Sequence, residues 1–542
     1  MKLQRRDLLK LGLAVPALAG PGCSSEDRPR DGWDPGELHH LLPTASHTAF
    51  NLKASFRHPQ DTAPVLRFGR REVVGTRQDS DGRFWAFRAG GLEPGTRHAL
   101  QLRHPAGHPL CDPWPLATLP APDARPGRLR IVSFTCAGGP ELPIPPSWFH
   151  AFKPAIYRRR LFDRMLERAP DLVIANGDHV YYDLPAMAKV RENPLGGLAA
   201  DLLDGFPGDF DAALPVPGTR NERALIGVGD AQIARIYGTR FRSTPVFFIT
   251  DDHDYFDNDD ATPERVTFPP DVFHRALRYA LQRLYFPEFI APVDSPRDPP
   301  GQVEADGVRL STHFGEMRYG TLFSGLLYDC GGQLGLGRGA GLVPPGAEAW
   351  LVDRTQHEDT AHLVHAPSHP MGWTAGKWRE WYPDLLESTG SIVEAVRSDA
   401  DGGKYMWQEG WWQQHQRLLA ALCSQRHRRA LVVSGDLHAL GVARIERSGG
   451  LDLGRNPLHS VLSGAVGTGQ IGWPSRARGV DPRTPEALGV TTLLALEERN
   501  GFTVLDFEGP RCTVRCLRCP DGYVAPERLV LATALRFDLT RA

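Results

Sequence analysis

Four short apolar runs constrain this chain more than any other feature, because each has the length of a strand and each stops at residues that carry chemistry. RIVSFT ends at Cys136, and DLVIAN runs into Gly177-Asp178-His179-Val180-Tyr181. VFFIT runs into Asp251-Asp252-His253-Asp254, and ALVVS into Gly435-Asp436-Leu437-His438. Uninterrupted apolar runs of this length predict strands buried on both faces. Between them, the segment Ala155 to Ala169 places Tyr157, Leu161, Phe162, Met165 and Leu166 at helical spacing, and Gly410 to Leu422 reads as a second helix. Strands alternating with helices predict a layered α/β core. In such cores ligands bind at the carboxyl ends of the strands.

Any one of these aspartates reads as readily as a helix cap or a turn former. Four strand ends supplying thiol, carboxylate, phenol and imidazole together make a constellation. Packed carboxylates repel one another and resist ionising, and bound cations remove that repulsion. Two adjacent metals sharing one carboxylate would lower the pKa of a shared water and neutralise phosphoryl oxygens. Cys136 as thiolate and Tyr181 as phenolate favour a trivalent or soft ion on one side, with Tyr182 as a competing phenol. The oxygen-rich positions favour calcium or another hard ion on the other.

The remainder of the 542 residues sets this core in context. Residues 31–120 read as an all-β sandwich: HTAFNLKASF, APVLRFG, RFWAFRAG and RHALQLRH are short apolar runs separated by the turn formers HPQD, DSDG and EPGT. LEPGTRHALQL resembles the corner of a fibronectin type III-like module, with His98 in the place of an aromatic residue. PAPDARPG is a linker into residues 128–542, the expected catalytic domain. A net charge of −2 with no basic stripe gives no reason to expect a nucleic-acid partner. Residues 1–30 stand apart. MKLQRRDLLK followed by LGLAVPALAG is a twin-arginine export pattern, too short to span a bilayer comfortably. It predicts a chain exported in folded form, with the twin-arginine machinery as a partner, and a periplasmic, secreted or surface-anchored location. Cys23 offers a point for lipid anchoring, although Pro21 fits a lipoprotein signal poorly and simple cleavage is preferred. Cys512, Cys516 and Cys519 are one short of a four-ligand zinc site and read as buried thiols or one disulfide.

With these residues on the page, the order FTC (134–136), GDHVY (177–181), DDHD (251–254) and GDLH (435–438) resembles the PhoD-like alkaline phosphatases of the metallophosphoesterase superfamily. The resemblance implies a four-layer α/β/β/α core behind the sandwich and a site holding iron and calcium, with other divalent metals as substitutes. It makes Cys136, Asp178, Tyr181, Asp251, Asp252, Asp436 and His438 metal ligands. Asp178 bridges and takes part in catalysis, and His253 contacts phosphate or the leaving group. It departs from that family's pattern at Thr135, where serine is usual, at Asp254, where glutamate is usual, and at Tyr328-Asp329-Cys330-Gly331, which lacks the arginine of an aspartate-threonine-arginine strand.

Three other features invite a functional reading. His357, His362, His365 and His369 fall in one loop-like stretch that offers a pocket lining, but their irregular spacing reads rather as a mixture of surface and core. Gly464, Gly467 and Gly469 in SGAVGTGQ resemble a phosphate-cradling loop without its nucleotide-binding context. Trp407, Trp411 and Trp412 read as core packing. The expected function is hydrolysis of phosphate mono- or diesters by metal-bound hydroxide, outside the cytoplasm. A phospholipase D-like phosphodiesterase and a metal-stabilised binding or scaffold protein without turnover are the alternatives. A lapsed enzyme would have lost a ligand, and none of the four strand ends is empty.

Overall fold

A computed structural model of the protein describes residues 32–141, 143–144, 149–150, 152–181, 210–255, 270–291, 299, 301–334, 341–371, 386–387, 407–469, 484, 487–520 and 524–540. The export segment, Cys23 and Tyr182 lie outside them.

The alternation of side chains along the core strands dictates the layering. In the strand Arg128–Phe134, Ile131 faces one way and Val132 and Phe134 the other. Leu172 and Ile174 oppose Val173 and Ala175 in Leu172–Asn176, and Phe247 and Ile249 oppose Val246 and Phe248 in Val246–Ile249. One set meets the helices Ala155–Leu166, Arg220–Gly229 and Val272–Tyr285. The other meets a second sheet, through Leu327, Val364, Ala366, Leu431, Val433 and Val461. The opposite face of that second sheet, with Leu326, Leu363 and Val432, packs on Trp350 and Leu351 of the helix Pro345–Gln356 and on Leu418, Leu419 and Leu422 of the helix Glu409–Cys423. The result is a four-layer α/β/β/α core. Because both faces of each strand are covered, period-2 patterning collapses into the continuous apolar runs seen in the sequence.

The first sheet runs Val246–Ile249, Leu172–Asn176, Arg128–Phe134, Gly501–Glu508, Arg511–Arg518, Ala532–Thr540. Its first three strands are parallel, with Ile174 opposite Ser133 and Phe247. Their carboxyl ends therefore lie together. In the second sheet, Phe323–Tyr328, His362–Pro367, Leu431–Ser434 and Leu458–Ser463 are parallel neighbours. The strand His362–Pro367 occupies the histidine-rich stretch expected to be loop-like. His362 and His365 are buried within it. His365 accepts or donates to Tyr328 and Thr355 side chains at 3.2 and 2.8 Å, and burial pushes it down to about 3.

Before this core, two four-stranded sheets form the sandwich. One holds Leu38–Ala45, Phe50–Phe56, Phe84–Ala89 and Thr76–Arg77, and the other Arg71–Val74, Val65–Phe68, Arg97–Arg103 and Trp114–Ala117. His98 sits edge-on between Phe50 and Phe68, at 5.5 and 6.2 Å between ring centroids, and so does the work of an aromatic. The C-terminal cysteines are buried free thiols, and burial pushes Cys512 well up and Cys516 up to about 12. In the helix Glu409–Cys423, Trp411 is buried and Trp412 packs, half-buried, against the core.

Polar contacts fasten the sandwich to the core. Lys53, fully buried, pairs with Glu288 at 2.9 Å and donates to the Arg283 carbonyl, while Asn51 donates to the same carboxylate at 2.8 Å. Arg83 pairs with Asp230 at 3.0 Å. Burial pulls Lys53 below its ordinary value, with Glu288 opposing that shift. Lys53→Met leaves the Glu288 carboxylate buried without its cation. It should cost about 3 kcal/mol in urea denaturation, more than half of which Glu288→Gln in the same chain should recover.

Candidate metal centre

The chain turns sharply at each strand end, and the turns carry backbone strain. Of the six described non-glycine residues with positive φ, four are here: Cys136 (49°), Asp178 (56°), Asp436 (67°) and His438 (50°). Each such conformation costs roughly 1–3 kcal/mol and persists only where its surroundings enforce it. Backbone bonds enforce these. The Cys136 N–H donates to Gly177 O at 3.1 Å, Gly138 N–H to Asp178 O at 3.0 Å, and Gly177 N–H to Ile249 O at 2.7 Å. Gly177 itself has φ +79°, and a Cβ there would lie 2.5 Å from the Asp251 Cβ.

Thr135 and Asn176 join the two sheets beneath the site. The Thr135 hydroxyl donates to Asn176 O at 2.5 Å and accepts from the Asp436 N–H at 3.2 Å. The Asn176 amide donates to Pro367 O at 3.0 Å. A hydroxyl is what this position needs, and Thr135 supplies it. Asp254 makes a second tie: its carboxylate accepts the N–H groups of Asp178, His179, Val180 and Asp251 at 3.0–3.3 Å. His179 turns into the core, with Nε2 2.9 Å from Ile249 O, and burial pushes it down to about 4.

All eight residues singled out from the sequence come together. Donor atoms of Cys136, Asp178 and His438 lie within 4.8 Å of one another, as do those of Asp178, Asp252 and His253, and those of Asp251, Asp252 and Asp436. Asp178 belongs to the first two groups and Asp252 to the last two. The Asp178 Oδ2 atom gathers the first group: Cys136 Sγ is 3.1 Å away, the Tyr181 hydroxyl 2.9 Å and His438 Nε2 3.4 Å. The Tyr181 and His253 rings are 4.1 Å apart. Burial, and then the negative charge of Asp178, push the Tyr181 phenol well above its ordinary value. Its conversion to phenolate therefore needs a cation.

The donor set fits two ions. It is graded from sulfur, nitrogen and phenol at one end to three carboxylates at the other, with every member buried. Soft or trivalent ions suit the first end and hard divalent ions the second.

Two further residues join the site, one set aside in the sequence as part of an irregular histidine stretch and one that the sequence did not raise. His369 follows the end of the strand His362–Pro367, and its Nδ1 lies 2.6 Å from Asp251 Oδ1. The strand-end rule that found the other four would have found it, had HLVHAP been read as a strand. Arg278 is the second. Asp329 accepts from the Thr250 and Tyr255 hydroxyls at 2.9 and 2.5 Å and lies 3.7 Å from the Arg278 guanidinium. The cation missing from the sequence beside Asp329 is thus supplied from the helix Val272–Tyr285. Arg278 also donates to Thr250 at 2.9 Å. Together they brace both ends of the Asp251–Asp254 turn. Within the glycine-rich SGAVGTGQ run, close approach requires Gly467: its N–H donates to Cys136 O at 2.7 Å, and a Cβ there would lie 2.4 Å from Gly138 O.

Burial alone would raise Asp329, but the hydrogen bond from His313 and the charge of Arg278 hold it below the ordinary carboxylate range. A depressed carboxylate stabilises the fold above its unfolded-state value of about 4 and loses that contribution as pH falls further. Asp329→Ala strands a buried guanidinium. Denaturation at pH 7 should show a loss on the order of 3 kcal/mol, and the acid limb of the stability–pH curve should become shallower than in the parent chain.

No protein-family model matches the sequence, and no curated protein matches it. Solved structures do. The chain is similar to the structure of PhoD, at 12% identity with a TM-score of 0.52, over 93% of this chain and 91% of that one. It is similar also to purple acid phosphatase PPD1 isolated from yellow lupin (Lupinus luteus) seeds, at 12% identity and a TM-score of 0.52, over 92% of this chain and 73% of that one. The likeness is one of fold: the chain shares the layered architecture of these two structures.

Proposed function

We propose that this protein is a metal-dependent phosphoesterase that cleaves phosphate mono- or diesters outside the cytoplasm. One observation carries the reading. The Asp178 carboxylate lies within 4.8 Å of donor atoms of Cys136 and His438 on one side and of Asp252, a member of the all-carboxylate group, on the other, the position from which a residue would bridge two cations. Ions bound there supply Lewis acidity, activating water and neutralising phosphoryl charge. In this reading iron occupies the thiolate–phenolate end, with Cys136, Asp178, Tyr181 and His438. Calcium or another hard ion occupies the end formed by Asp251, Asp252 and Asp436. The chain's own residues do the rest. Strained turns preset the donors, so little reorganisation is needed when charge develops. His253, stacked near Tyr181, takes the role of holding phosphate or passing a proton to the leaving oxygen. The likeness in fold to two phosphatases supports this reading, as does the twin-arginine pattern at residues 1–30 for the location.

The test pairs metal analysis of the purified chain with a panel of mono- and diesters. Asp178→Asn should abolish nearly all turnover while the fold survives, because a neutral amide does not bridge two cations. Turnover at the parental rate in that variant would remove the bridging role. His253→Ala should retain metal and slow turnover by on the order of a hundredfold, most for esters with poor leaving groups. A uniform rate across leaving groups would take His253 out of proton transfer. Iron beside thiolate or phenolate should give a visible charge-transfer band that chelation bleaches as activity falls. A colourless, fully active protein would overturn the assignment of iron.

A further inference from the structure

The helix Arg220–Gly229 does not end cleanly. It passes into a π-helical turn, Asp230–Ala234, in which the Arg235 N–H donates to Asp230 O, five residues back. Such a turn inserts an extra residue and re-aims the side chains around it. Here it aims Gln232, fully buried, at the metal centre's backbone. Gln232 Oε1 accepts two N–H groups, from Gly139 at 2.7 Å and from Tyr181 at 2.8 Å, while its Nε2 donates to the Tyr181 carbonyl at 3.2 Å. Two converging backbone donors fix which end of the amide is oxygen. One side chain therefore grips both polar groups of the Tyr181 peptide and the loop that follows Cys136.

The surroundings hold this grip rigid. Arg158, also buried, donates to Ala137 O, Gly138 O and Gly139 O at 3.2, 2.8 and 2.8 Å from the other side of the same loop. Asp230, at the start of the π turn, is held by the Tyr285 hydroxyl at 2.9 Å and by Arg83 of the sandwich at 3.0 Å. Gln232 touches no donor atom itself. It holds Tyr181 directly and Cys136 through Gly139, three residues on, and the Cys136 thiol and Tyr181 phenol converge on Asp178 Oδ2.

We infer that Gln232 is a positioning residue that sets the separation of the Cys136 and Tyr181 donors and hence the affinity of the soft-ion end of the centre. This rests on the two-metal reading above. The experiment titrates the metal-stripped full chain with cobalt(II), reading affinity and the near-ultraviolet thiolate-to-cobalt absorption. Gln232→Met keeps the volume and removes all three hydrogen bonds. It should weaken the thiolate-associated cobalt by about tenfold or more and diminish its absorption. Gln232→Glu keeps an acceptor for the two N–H groups and loses only the donor, so it should fold and show the smaller loss. In a chain already carrying Cys136→Ser and Tyr181→Phe, adding Gln232→Met should leave the remaining cobalt affinity unchanged, because the donors it spaces are gone. A role in general folding would give the same loss in both backgrounds, and that outcome overturns the inference. So does a Gln232→Met chain that binds cobalt like the parent. A parent chain that takes up no cobalt defeats the two-metal reading, and the inference with it.

Discussion

Mutual repulsion among buried carboxylates is the constraint on which the rest of this structure depends. Asp178, Asp251, Asp252 and Asp436 are each at most 1% exposed and converge within one small volume. Removing such groups from water is costly, and crowding them costs more still. No hydrophobic packing could hold them there unaided. The fold answers with geometry, placing each at the end of a strand whose neighbours fix it, and with a network of polar ties that leaves the site little freedom to relax. Cations complete the balance that the polypeptide alone does not.

Those ties are largely made to backbone. Asp254 gathers four amides from two loops, Gln232 and Arg158 grip the loop after Cys136, and Thr135 and Asn176 span the sheets. A scaffold fixed through backbone groups tolerates wide change in side chains elsewhere. That is consistent with a fold shared with PhoD at only 12% identity.

The layering and four of the strand ends were legible because burial on both faces leaves a plain mark, an apolar run that stops at polar residues. The helices Ala155–Leu166 and Glu409–Cys423 were legible from their spacing. HLVHAP was not, because its two histidines are buried residues satisfied by Tyr328, Thr355 and the Gly509 carbonyl. Polarity in the sequence then conceals burial in the fold, and His369 was lost with the strand. Arg278 was missed for another reason. It meets Asp329 across 51 positions of chain, so proximity in the sequence carried no trace of the pairing. Gln232 lies in an unremarkable helical stretch, and only the π turn reveals where it points.

The connectivity of the first sheet has a consequence for the order of events on the ribosome. The strand that leads to Cys136 is flanked by Leu172–Asn176 on one side and by Gly501–Glu508 on the other. The second flank is synthesised more than 320 residues later than the first, so the sheet stands half built through most of translation. Asp436 and His438 likewise emerge long after Cys136 and Asp178. Non-local contacts of this kind form late. Metal capture at the complete donor set must then wait for Asp436 and His438, which makes the ions a seal on a largely formed fold and not a nucleus for it.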